Sequence, residues 1–181
     1  MSMIEVEVKA CVENVKRFKD LLGRFGAKFS HAEEHVDVYY NNPDLRDFRV
    51  SDEALRLRRV NNLVLLTYKG KKIDSISKSR LEIECAISSF EEMDAILKSL
   101  GFLPVGEVVK HRHIYLIEEL TICVDEVRNL GSFVEVELAS SDESGVENGV
   151  RRAIGLLEQL GLSKDDLIRR SYLEMMLGGR S

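Results

Sequence analysis

The chain has no tryptophan, two prolines and three cysteines among its 181 residues, and each scarcity excludes something. With only Pro43 and Pro104, and no stretch rich in serine, glycine or proline, nothing marks an interdomain linker, so residues 1–181 read as one domain. Cys11, Cys85 and Cys123 are odd in number and widely spaced, which fits neither a disulfide framework nor a zinc motif. They are expected as small apolar packing residues in a protein of a reducing compartment. No apolar run approaches the ~18 residues of a membrane span, and the N-terminus leads directly into a charged strand, so a cytoplasmic protein without membrane contact is expected. Excess positive charge is also lacking. A net charge of −5 and a pI near 5.5 give no long-range attraction for nucleic acid or anionic lipid, so any anion site must be local.

What is present is a 44% hydrophobic composition, enough for a real core, arranged as short strands alternating with four helical patterns. Val12, Val15, Phe18, Leu21, Leu22 and Phe25 stand at helical spacing before Gly26. Ser89 and Glu92 form a capping box ahead of Met93, Ile96, Leu97, Leu100 and Gly101. A third helix is expected from about Asp142 to Leu160, and a fourth starting at Ser163 and carrying Leu167, Leu173 and Met176. Each apolar stripe needs a sheet face to cover.

The strands alternate with period two over Ile4–Lys9, Ala54–Arg59, Leu81–Cys85, Val109–Ile114, Ile122–Val124 and Phe133–Leu138. Their polar faces repeat charges of like sign at i and i+2: Glu5 and Glu7; Arg56 and Arg58; Glu82 and Glu84; Lys110 and Arg112; Glu135 and Glu137. Solvated faces of antiparallel sheets usually carry mixed polar groups. Same-face neighbours lie about 6.6 Å apart, and carboxylates so crowded are disfavoured without counterions. The helices claim the apolar faces, so the ionic faces are expected to line the lumen of a closed antiparallel barrel of about eight strands, an α+β fold with its helices outside.

A faint internal repeat agrees. Ile4-Glu5-Val6-Glu7, a helix, Gly26 and Val38-Tyr39-Tyr40 correspond to Leu81-Glu82-Ile83-Glu84, a helix, Gly101 and Ile114-Tyr115-Leu116 at an offset of about 76, implying two halves around a pseudo-twofold axis.

Glu5, Glu7, Asp125, Glu135 and Glu137 offer only hard oxygen ligands, the chemistry of Mg²⁺ or Mn²⁺ rather than zinc. Lys9, Arg56, Arg58, Lys69, Arg80, Lys110 and Arg112 occupy in-phase strand positions and are the groups that hold phosphate oxygens. The two sets could pair internally, but a lumen filled only by ion pairs costs desolvation energy with no return. A triphosphate with divalent metal reconciles both. Residues 70–79 read as a mobile flap over one barrel mouth, with Lys78 a candidate substrate contact. His111 and His113 have the spacing of a metal pair, but they alternate with Lys110 and Arg112 and so face outward, as packing or surface residues. Tyr172 is expected as a core residue, packed near a barrel end, and Asp37 to hold a basic side chain.

The opening strand Glu5-Val6-Glu7-Val8-Lys9 is followed by Ala54-Leu55-Arg56-Leu57-Arg58, Tyr68-Lys69-Gly70, Arg80-Leu81-Glu82-Ile83-Glu84, Lys110-His111-Arg112, Val124-Asp125-Glu126-Val127 and Leu130-Gly131-Ser132-Phe133-Val134-Glu135-Val136-Glu137. In this order the segments resemble the CYTH superfamily, the triphosphate tunnel metalloenzymes, over nearly the whole chain. Val36-Asp37-Val38-Tyr39-Tyr40, Lys110 to Tyr115, the 130–133 segment and Arg170-Ser171-Tyr172 are most similar to class IV adenylyl cyclases. The resemblance implies a tunnel that binds a triphosphate with Mg²⁺ or Mn²⁺, and a homodimer.

Three functions are open on this reading. As a cyclase converting ATP to cyclic AMP and pyrophosphate, the chain would use Glu5, Glu7, Asp125, Glu135 and Glu137 for metal. Arg56, Arg58, Lys69, Lys78, Arg80, Lys110 and Arg112 would hold the phosphates, Lys9 would sit between the two sets, and Glu82 and Glu84 would be additional acids. Glu5, Glu7, Lys9 and Arg112 are the expected catalytic groups. As a triphosphatase the same tunnel would hydrolyse inorganic or thiamine triphosphate. As a binding protein it would hold a nucleotide or polyphosphate without turnover.

Overall fold

Alternating apolar and ionic side chains leave each strand two unlike faces, and one closed sheet satisfies all of them. The computed structural model describes residues 3–73, 76–140 and 143–178. Its strands are β1 (Met3–Cys11), β2 (Lys28–Asn41), β3 (Ala54–Val60), β4 (Leu63–Lys69), β5 (Arg80–Ile87), β6 (Leu103–Ile117), β7 (Leu120–Val127) and β8 (Gly131–Ser140). They pair antiparallel in the closed order β1-β5-β4-β3-β2-β6-β7-β8. The helices are α1 (Val15–Arg24), the one-turn α2 (Phe48–Ser51), α3 (Phe90–Ser99), α4 (Glu143–Gln159) and α5 (Tyr172–Gly178).

The repeat organises the barrel. β2-β3-β4 and β6-β7-β8 are two meanders, and the first strand of each half crosses to extend the other: β5 beside β4, and β1 beside β8. α1 and α3 occupy equivalent crossovers, and the glycines ending them, Gly26 and Gly101, share left-handed φ values of +84° and +85° that a side chain would resist. The two seams are unequal. β2 and β6 pair from Lys28↔Leu116 to Asn41↔Leu103, whereas β1 meets β5 only over Met3, Ile4 and Glu5.

The outer face of β1, β7 and β8 supplies Val6, Val8, Ile122, Val124, Val134 and Val136, which pack beneath Val150, Ala153 and Leu157 of α4. A second cluster joins Tyr40 and Leu57 to Leu97 of α3. Leu157 is 1% exposed, and Leu157→Ala is expected to cost about 2–5 kcal/mol through lost burial and an unfilled cavity, read as a lower urea midpoint with unchanged slope.

Two expectations need correction. The fourth helix does not run from Ser163. That residue caps a single 3₁₀ turn, Lys164–Asp166, after which Leu167 bridges to Ala10 and the Ile168 amide donates to the Lys9 carbonyl at 2.7 Å. These bonds to β1 hold the chain extended until α5 begins at Tyr172. The third helix is found as expected over Glu143–Gln159, and Asp142 lies outside the described residues. Of the cysteines only Cys123 is buried; Cys11 sits at the end of β1 and Cys85 on the outer face of β5, both exposed. Among the described residues no helix is long and apolar enough to cross a membrane.

Candidate active site in the tunnel

Register places the ionic residues on one side of the sheet. Lys9 faces Glu135 and Glu7 faces Glu137 across β1–β8; Glu5 faces Arg80; Lys69 faces Glu82; Asp37 faces Arg58; Arg112 faces Asp125. Because side chains alternate with period two, these pairings turn both sets into the lumen. All of them but Lys9 and Asp125, which lie behind the wall, line a cavity of about 860 Å³, within the range of small-molecule sites.

Two ionic clusters fill the walls. In the first, the Arg112 guanidinium grips Asp125 with both prongs at 2.7 Å, reaches Glu137 at 3.0 Å and also donates to Glu135. Lys110 donates to Asp125 at 2.9 Å, and Lys78 donates to Glu7 and, at 3.2 Å, to Glu135. In the second, Lys69 bridges Glu82 at 2.8 Å and Glu5 at 3.2 Å. Arg56 donates to Thr67 at 3.1 Å and lies 3.5 Å from Glu82 and 3.6 Å from Glu84. Asp37 takes Arg58 in a two-pronged pair at 2.6 and 2.7 Å. Arg80 spends its donors on the Gly70 and Lys78 carbonyls, at 3.3 and 3.4 Å.

The carboxylates do not form one uniform ligand set. Asp125 is fully buried, and its oxygens accept from Lys110, Arg112 and the Tyr172 hydroxyl, the last at 2.9 Å, so it serves as an anchor for the basic groups. Burial opposes ionisation of Asp125, but Arg112 and Lys110 bring its pKa down to about 2. Burial and the charge of Glu135 push Glu7 up to about 8, while Lys78, Lys110 and Arg112 overcome burial and hold Glu135 well below the usual range. Glu7 and Glu135 thus share a proton in place of a second positive charge. Burial and a hydrogen bond with Glu5 raise Glu82 to about 7, and burial raises Glu137 against the pull of Arg112. Lys9, stripped of water and facing Lys78, falls to about 7.

Pairing in the lumen is therefore extensive and incomplete. Arg56 lines the cavity, and its Nε is buried with no hydrogen-bond partner among the described residues. On the acidic side, Glu5, Glu7, Glu135 and Glu137 offer oxygen ligands only, and burial with neighbouring carboxylate charge pushes Glu7 and Glu137 toward protonation. Hard divalent cations suit that donor set.

One residue stands elsewhere than expected. Lys78 does not lie in a solvated flap: Ser77, Lys78 and Ser79 are buried, and the Lys78 amide donates to the Glu7 carbonyl at 2.9 Å, continuing the edge of β1 where its pairing with β5 stops. The flap positions Asp74 and Ser75 lie outside the described residues. Tyr172 is, as expected, a core residue, buried with Tyr39, Val127 and Phe133, and it also reaches the lumen, with its ring centroid 4.1 Å from the Lys9 ammonium. The first turn of α5 delivers it there because Gly106 on β6 has no side chain to collide with Leu173. Tyr172→Phe keeps the ring beneath Lys9 and removes the bond to Asp125; a loss of about 1 kcal/mol is expected in denaturant unfolding, since Lys110 and Arg112 still satisfy that carboxylate.

An antiparallel barrel with its helices outside and opposed ionic belts within defines a tunnel protein, one whose chemistry belongs to the lumen. Residues 3–172 match the CYTH domain model, and the chain belongs to that family. It is 42% identical over 173 residues to the Methanocaldococcus jannaschii protein named "Putative adenylate cyclase MJ0240", covering 96% of this chain and 98% of that one. The solved structure of PH1819 from Pyrococcus horikoshii OT3 is 41% identical with a TM-score of 0.89, covering 97% and 99% of the two chains. HpAC1 from Hippeastrum, described as having a dominant triphosphatase activity, shares the fold with a TM-score of 0.66 at 16% identity, covering 99% and 97%.

Proposed function

We propose that this chain is a divalent-metal-dependent enzyme acting on a triphosphate, and specifically an adenylate cyclase that converts ATP to 3′,5′-cyclic AMP and pyrophosphate. The observation that carries the reading is the buried lumen in which Arg56, Lys69, Lys110 and Arg112 oppose Glu5, Glu7, Glu135 and Glu137. The basic groups, with Arg58, Lys78 and Arg80, bind and orient the phosphate chain, the positioning on which phosphoryl chemistry depends. Glu5, Glu7, Glu135 and Glu137 would hold Mg²⁺ or Mn²⁺, which when bound supplies charge neutralisation at the phosphate oxygens. Asp125 and Asp37 keep the guanidinium forks of Arg112 and Arg58 in place. Lys9 sits between the two sets, its ammonium fixed by the Arg170 carbonyl and the Tyr172 ring and 3.9 Å from Glu135.

A nucleotide is favoured over inorganic triphosphate by the cavity wall where β2 ends and β3 and β6 begin. Phe48, Ala54, Val105, Leu173 and Leu177 line it there, an apolar end that a nucleobase needs and a bare polyphosphate does not. The triphosphatase reading keeps the support of the shared tunnel and of the Hippeastrum protein's activity. Incubation with Mg²⁺ or Mn²⁺ and either ATP or inorganic triphosphate, followed by phosphorus NMR, separates them. Cyclic AMP with pyrophosphate is expected. Phosphate release alone would assign a triphosphatase, and tight ATP binding without products would make the chain a binding protein.

A further inference from the structure

Outside the tunnel, the strand pair that carries Lys110, Arg112 and Asp125 presents a different set of groups. His111 and His113 alternate with the lumen residues of β6 and so project from the outer face, with ring centroids 4.5 Å apart and edge to face. Glu126 of β7 stands directly across from His111 in the register. One ligand atom from each of the three lies within 4.8 Å of the others. The Lys19 ammonium of α1 sits among them, 3.1 Å from His113 Nδ1 and 3.7 Å from Glu126 Oε1. A positive charge thus rests on a lone pair of one imidazole and beside a carboxylate.

We propose that His111, His113 and Glu126 form an external site for a borderline divalent cation of the zinc type, and that Lys19 is the internal cation that competes for it. The chemistry separates this site from the lumen. Two imidazole nitrogens and one carboxylate oxygen match zinc, copper and nickel preferences, whereas the lumen offers oxygen alone. Tetrahedral coordination at about 2.1 Å requires ligand atoms about 3.4 Å apart. The present spacing closes to that by side-chain rotation, because the histidines share one strand face and Glu126 is exposed at the surface. Three protein ligands leave one position to solvent. The bound ion ties β6 to β7 on the face opposite Arg112 and Asp125.

The probe is Co²⁺ added to the full chain in excess Mg²⁺, read by visible absorption, which is intense for four-coordinate imidazole sites and weak for six-coordinate oxygen sites. An intense band at one equivalent, displaced by Zn²⁺, is expected. His113→Ala should weaken binding at least about tenfold. Lys19→Met should tighten it, since the competing ammonium is gone, and this variant needs no core residue to change. The proposal is overturned if the band is absent, if His113→Ala leaves it unaltered, or if Lys19→Met weakens it.

Discussion

Arg112→Ala is expected to lower kcat/KM for the triphosphate substrate by about 10²–10³-fold, the loss usual when one preorganised donor to a reacting anion is removed. Arg112 touches three carboxylates, Asp125, Glu135 and Glu137, and belongs to the basic wall proposed to hold phosphate. Its removal also leaves buried negative charge without its partner, which costs about 3–5 kcal/mol of stability. The two effects separate experimentally. Arg112→Lys restores a positive charge but not the fork, so the unfolding midpoint should recover in part while turnover stays low. If Arg112→Ala turns over ATP at the wild-type rate under folded conditions, the basic wall does not bind the reacting phosphates.

Much of this site could be read from period-two alternation, because a strand residue's face follows from its parity. Glu5, Glu7 and Lys9, or Lys110 and Arg112, needed only a closed sheet to be placed in one lumen, and helical stripes on the other face argued for closure. Tyr172 was not legible in this way. Its position depends on an extended segment bonded to β1 and on the close approach that Gly106 permits, both tertiary facts. Lys78 looked like a loop lysine because its neighbours are polar, yet its backbone completes a strand edge that β5 leaves open. Asp125 shared the acidic signature of the other carboxylates, and only geometry shows its oxygens already taken by Lys110, Arg112 and Tyr172. The proximity of Glu126 to the histidine pair depends on strand register, which alternation alone does not give.

The stability of metal-free protein is expected to pass through a minimum near pH 7–8, and divalent cation to make the descending side shallower. Glu7 has a folded pKa of about 8 against an ordinary 4.5, so the folded state holds a proton that the unfolded chain has released. Its contribution is complete below pH 4.5 and is lost as pH rises to 8, by at most about 1.4 kcal/mol per pH unit. Glu82, raised to about 7, and Glu137, also raised, act in the same sense. His35 opposes them: burial and Arg58 lower it to about 3, so its contribution is present above its ordinary 6.5 and is lost as pH falls through 3. Three carboxylates outweigh one imidazole, and stability descends. Lys9 reverses the trend above neutrality, because its folded pKa of about 7 lies under the ordinary 10.5, and stability returns as pH climbs between those values. Lys110, lowered by burial and by Arg112, adds to that recovery. Asp125, with its pKa near 2, matters only in stronger acid. Urea midpoints measured in chelator from pH 5 to 10 should trace this minimum, and Glu7→Gln should flatten the descending side. Mg²⁺ held by Glu7 and Glu137 favours their ionised forms, so the same series with Mg²⁺ should lose their share of that descent, leaving the part that Glu82 carries, and raise the midpoint most near pH 7–8. A pH profile that Mg²⁺ leaves unchanged would remove these carboxylates from the metal site and return them to a purely structural role.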